Sequence, residues 1–104
     1  MNPQAAQAWN FALAKMAKAA TYIETGQDGP AKTELAKAVY VGAGAMLYLY
    51  GEGPQEQAAH EAAQRFIGEM AAAEGSAAEA YAAARNILGL IAEMAPPEDP
   101  LPAP

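Results

Sequence analysis

The chain has no cysteine, which excludes disulfides, thiolate nucleophiles and sulfur-rich metal centres. It has one serine, Ser76, one histidine, His60, and one tryptophan, Trp9. So sparse a set of nucleophiles and bases argues against hydrolytic chemistry, which needs a nucleophile within reach of a base. Long apolar runs are also missing. The most apolar stretch, Ala38 to Tyr50, holds 13 residues including two glycines, whereas a spanning helix needs about 20. Met1-Asn2-Pro3-Gln4 lacks the basic start of a secretory signal, and polar residues recur after it, so the cytoplasm is the expected location. Cationic residues are few: six Lys and Arg stand against twelve Asp and Glu, for a net charge of −6. That balance is opposite to a nucleic-acid-binding footprint, so neither direct nucleic-acid contact nor a membrane is expected.

Large aliphatics are scarce too. Leu, Ile, Val and Phe number 15 in 104 residues. What fills their place is alanine, with 29 residues. Alanine is the best helix former because it has no side-chain entropy to lose. Three glycine-bearing breaks, Gly26-Gln27-Asp28-Gly29-Pro30, Gly51-Glu52-Gly53-Pro54 and Gly75-Ser76, divide the chain into four pieces of similar length. Glycine after a helix and proline at the start of the next are stop and start signals. The pattern predicts helices over about 3–25, 30–50, 54–73 and 77–94, forming one domain over 1–95, with a proline-rich acidic tail over 96–104. The tail is expected to be disordered or draped on a neighbouring helix through Leu101.

Similar helix lengths and short connections predict an all-α, antiparallel four-helix bundle built from two helical hairpins. A core this dependent on methyl groups is thin, and homodimerisation is one way to complete it.

Periodicity assigns the faces. In helix one, Trp9, Leu13, Met16, Ala20 and Ile23 form a narrow seam, and Phe11 and Tyr22 lie opposite it with Gln4, Lys15 and Lys18. In helix two, Leu35, Val39, Gly42, Met46 and Leu49 share a face, with Tyr40, Gly44 and Leu47 on the other side and Tyr48 nearby. Gly42 and Gly44 each cost about 1 kcal/mol against alanine, which close approach by another helix backbone would justify. Helix three turns Ala59, Ala62, Ala63, Phe66, Met70 and Ala73 inward, with Glu61, Arg65 and Glu69 spaced for ion pairs outside. Helix four opens on Ser76-Ala77-Ala78-Glu79, a capping-box pattern, and turns Ala80, Tyr81, Ala84, Ile87, Leu88, Ile91 and Met94 inward.

Constellations for chemistry are weak. His60 has Glu56 one turn before it, a base and orienter pair without a nucleophile. One histidine and no cysteine do not build a typical zinc site, and the Glu-x-x-His pattern of di-iron bundles fails because position 57 is Gln57. Met16, Met46, Met70 and Met94 fall one per helix, as flexible fillers among alanines. No catalytic residue, cofactor or metal is expected.

Charge divides unevenly along the chain, with a net of +1 over residues 1–50 and −7 over residues 51–104. This points to a solubilised acidic face, or to an acidic surface that meets a basic partner or the basic half of another copy. The expected function is that of a small non-enzymatic protein–protein interaction module, an adaptor or an inhibitor of a larger complex. The candidate contact residues are Phe11, Lys15, Lys18 and Tyr22 on helix one, Tyr40 and Tyr48 on helix two, and Glu56, Glu61 and Glu69 on helix three. The alternatives are a structural homo-oligomer and a helical bundle that binds a small ligand.

Overall fold

The computed structural model describes residues 2–51, 53–72, 75–98, 100–102 and 104. It is an all-α bundle of four helices: α1 Pro3–Glu24, α2 Asp28–Tyr50, α3 Pro54–Ala72 and α4 Ala77–Glu93. No strand occurs among the described residues. None of the helices is long and apolar enough to cross a membrane.

Local chemistry sets the helix ends. Asn2 caps α1: its side-chain oxygen accepts from the amides of Gln4 and Ala5 at 2.9 and 3.3 Å, and Pro3 takes the first helical position. At the other end Gly26 adopts φ of +74°. Its amide donates to Ile23 at 3.1 Å and that of Gln27 to Tyr22 at 2.8 Å, the two bonds of a Schellman ending. Ser76 accepts from the amide of Glu79 at 3.3 Å, as the capping pattern predicts. The start of α2 departs from expectation. The helix begins at Asp28, two residues before the expected start, and Gln27 caps it without a side-chain bond. The Asp28 carboxylate instead accepts from the Ala77 amide of α4 at 3.3 Å.

The buried residues show how the helices meet. In α1 they are Ala5, Trp9, Ala12, Met16 and Ala19. The seam therefore runs through alanines at 12 and 19 where the spacing predicted Leu13 and Ala20, and Leu13 and Ile23 lie half-buried at its flank. Methyl-sized groups under the neighbouring helix let the backbones close up, and the bulkier residues move to the edge. Helix α2 is the hub, packing against α1, α3 and α4, while α4 only brushes α1 and α3. Its buried positions, Ala31, Glu34, Leu35, Ala38, Val39, Gly42, Ala43, Ala45 and Met46, cover about half its circumference. Helix α3 buries Ala59, Ala63 and Phe66, and α4 buries Ala77, Ala84, Leu88 and Ile91. Ala62, Met70, Ala80, Tyr81, Ile87 and Met94 are half-buried around them, and Ala73 lies outside the described residues.

The tail is draped on the bundle. Leu101 enters the core with 7% of its surface exposed, and the Pro102 carbonyl accepts from the Trp9 indole at 2.9 Å.

The two central glycines of α2 have different reasons for being there. A Cβ on Gly42 would overlap Leu88 Cδ2 and stand 3.4 Å from Trp9 Cζ3, so side chains of α4 and α1, rather than the backbone of another helix, occupy the room this glycine leaves. A Cβ on Gly44 would meet nothing within 4 Å. Opposite stability changes are therefore expected. Gly42→Ala gains about 1 kcal/mol of helix propensity and loses about 1–3 kcal/mol to overpacking, since the added methyl group would overlap Leu88, which like Trp9 is wholly buried. It should melt below the parent protein, whereas Gly44→Ala should melt above it by a few degrees, which thermal circular dichroism measures directly.

Candidate partner-binding surface

The half of α2 that no helix covers carries Thr33, Lys37, Tyr40, Leu47 and Tyr48, all exposed, around Gly44. Although Ala38 to Tyr50 is the most apolar stretch of the sequence, packing against α1, α3 and α4 leaves this side of it open. Tyr40 is 55% exposed at its centre.

On one side of Tyr40 lies a groove between α1 and α2, lined by Phe11, Lys15, Ala36, Lys37, Tyr40 and Val41. Phe11 is 48% exposed on its rim. The Lys15 ammonium sits 5.1 Å from the centre of the Phe11 ring, in cation–π range. The same ammonium lies 3.1 Å from Glu34 Oε2 of α2, and Lys37 stands 4.0 Å from Glu34 Oε1. Glu34 is buried at 7% exposure, and its Oε2 pairs with Lys15 by charge without a well-angled hydrogen bond.

Burial alone would push the Glu34 carboxyl up. The contact with Lys15 and the charges of Lys15, Lys18 and Lys37 outweigh it and hold the group below its ordinary value.

On the other side of Tyr40 stands α3. His60 meets the Tyr40 ring edge-on, with centroids 6.2 Å apart, and its Nε2 lies 2.6 Å from Glu56 Oε1. Phe11, Lys15, Lys37, Tyr40, His60 and Glu56 thus form a band across three helices.

The structure gathers some of the sequence-predicted contact residues and scatters others. Phe11, Lys15 and Tyr40 line one groove, and Glu56 joins the band through His60. Lys18 is exposed beyond the groove and acts on it only through its charge on Glu34. Tyr22 is half-buried and does not line it. The stripe holding these residues is corrected in position. Because the α1 seam passes through Ala12 and Ala19, Phe11 and Lys15 flank the α1–α2 boundary and do not lie opposite it.

Tyr48 is exposed near the end of α2, where its carbonyl accepts from Asn2 Nδ2 at 3.0 Å. Glu61 and Glu69 are exposed but apart from Glu56. Glu61 accepts from Gln57 at 3.4 Å, and among the described residues neither acid pairs with Arg65. Glu69 lines a separate groove with Lys32, Phe66, Met70 and Glu79. The acidic face of α3 is therefore divided between the band and other surfaces. Among the described residues no group of three or more histidine and carboxylate side chains gathers as a metal would require.

Sequence reasoning missed Glu34 and Lys37. The signal for Glu34 was its place one turn from Ala31 and Ala38 and next to Leu35, an acid inside an apolar face. No protein-family model, no curated protein and no solved structure matches this chain.

Glu34 gives this region a defined pH response. A carboxyl held below its ordinary value stabilises the fold above the ordinary carboxylate range, and that contribution disappears as pH falls through the lowered value. Glu34→Gln should therefore lower stability at neutral pH by about 1–2 kcal/mol, with the gap to the parent closing in acid. Thermal melts of both proteins across the acid range measure it, and a gap that is constant with pH would contradict the assignment.

Proposed function

We propose that this chain is a small non-enzymatic protein-interaction module, an adaptor or an inhibitor of a larger complex, that binds through the band centred on Tyr40. The observation that carries this reading is the convergence of two exposed aromatic rings from different helices, Phe11 and Tyr40, on one groove rimmed by Lys15 and Lys37. Aromatic side chains are enriched at protein interfaces, and tyrosine is among the residues that dominate their binding energy. The lysine rim favours an acidic partner surface, and the net −7 of residues 51–104 means a second copy can supply one. A symmetric dimer would place the basic side of each copy on the acidic side of the other. This deepens the reading from sequence, in which the acidic face met a basic partner: the groove is the basic side of that pairing.

Sedimentation velocity over a wide concentration range tests the self-association. The mass should rise from the 10.8 kDa monomer toward the dimer and fall back with added salt. Phe11→Ala combined with Tyr40→Ala should weaken association by about tenfold or more while leaving the helical signal intact. Capture from the native host with parent and double variant extends the test to another protein. A strict monomer at every concentration, together with identical captures by both proteins, would remove the band's role.

A further inference from the structure

A second surface, on another side of α1, is already occupied by a peptide. Trp9 and Phe11 are two residues apart, which separates them by about 200° around a helix. Trp9 is wholly buried where α1, α2 and α4 meet, against Gly42 and Leu88. A buried indole N–H needs an acceptor, and the carbonyls of surrounding helices are used by their own ladders. The acceptor is the Pro102 carbonyl, at 2.9 Å. The residue before it, Leu101, fills the core beside the helices.

The bound segment is Pro100-Leu101-Pro102, which is neither helix nor strand. Its two prolines have no N–H, so the segment buries a leucine while bringing a single backbone donor with it. Proline also restricts the free chain and reduces the ordering that binding requires. An aromatic side chain offering an N–H to the carbonyl of a proline-flanked segment is the chemistry by which proline-rich peptides are recognised in general.

We propose that the Trp9 surface is a binding site for an extended Pro-Leu-Pro peptide, occupied in the resting chain by its own residues 100–102. The site holds its occupant through a leucine socket and one indole hydrogen bond, so the same segment supplied from another molecule can exchange into it. It is separate from the Tyr40 band, and its failure or success is read independently of self-association through that band.

The experiment uses the full chain, in which Trp9 is the only tryptophan and reports the site by fluorescence. In the parent protein acrylamide should quench Trp9 weakly. Leu101→Ala should raise the quenching constant by about twofold or more, with the far-ultraviolet helical signal unchanged. A synthetic peptide of residues 97–104, added in excess, should return that constant toward the parent value, and the same peptide with alanine for leucine should not. Parent-like quenching in Leu101→Ala would overturn the proposal, as would protection that is absent or indifferent to the leucine. Should Leu101→Ala lose helix, Trp9→Phe keeps an aromatic ring and removes the N–H. The backbone heteronuclear Overhauser effect at Leu101 should then drop toward that of a free tail, and an unchanged value would overturn the proposal.

Discussion

One missing carbon organises this molecule. At Gly42 of α2 the side chain of Leu88 from α4 takes the space of a Cβ, with Trp9 of α1 in contact beside it. Dispersion attraction falls off within a fraction of an ångström, so contact this intimate is how a core poor in large aliphatics becomes dense. Alanines at 5, 12, 19, 38, 43, 45, 59, 63 and 84 extend the same arrangement along the helices. The large buried side chains, Trp9, Leu35, Val39, Met46, Leu88 and Ile91, then fill what the methyl groups leave.

Close packing around α2 also determines what is left outside. Helix α4 nests on the hub, so among the described residues no helix packs over the remaining side of α2. Its Tyr40 and Leu47 stay in solvent with Phe11 of α1 beside them. The Lys15–Glu34 pair lies at the border of core and groove and links α1 to α2 by charge there. The band and the core are consequences of one packing choice.

Much of this was legible in the sequence, for physical reasons that differ by element. Helix number and ends follow from local chemistry: Asn2, Pro3, Gly26 and Ser76 act within a turn of themselves, and sequence reports such effects faithfully. The close approach at Gly42 was legible because glycine inside a helix needs a reason. That Gly44 lacks the same reason was not, since the two residues differ only in what another helix brings to them. The rotation of α1 was hidden because Leu13 outranks Ala12 on any hydrophobic scale, although a thin core selects the smaller face. Glu34 escaped notice because its partner Lys15 lies on another helix, and pairing at that separation has no sequence period. Leu101 was marked as a docking residue, but its acceptor neighbour Pro102 was not, because a backbone carbonyl leaves no trace in residue identity.

Two side chains join helix ends to one another at opposite poles. Asn2 receives the free amides at the start of α1 with its oxygen and gives its nitrogen to the Tyr48 carbonyl at the close of α2. A single amide group thereby meets the electropositive end of one helix and the electronegative end of the next, as two helices running in opposite directions bring them side by side. Asp28 faces the reverse situation. Helices α2 and α4 start together, so two electropositive ends stand adjacent, and one carboxylate belonging to the first reaches the Ala77 amide of the second. The neutral amide joins unlike poles and the anion joins like ones, so the charge of each clamp matches the relative direction of the rods it ties.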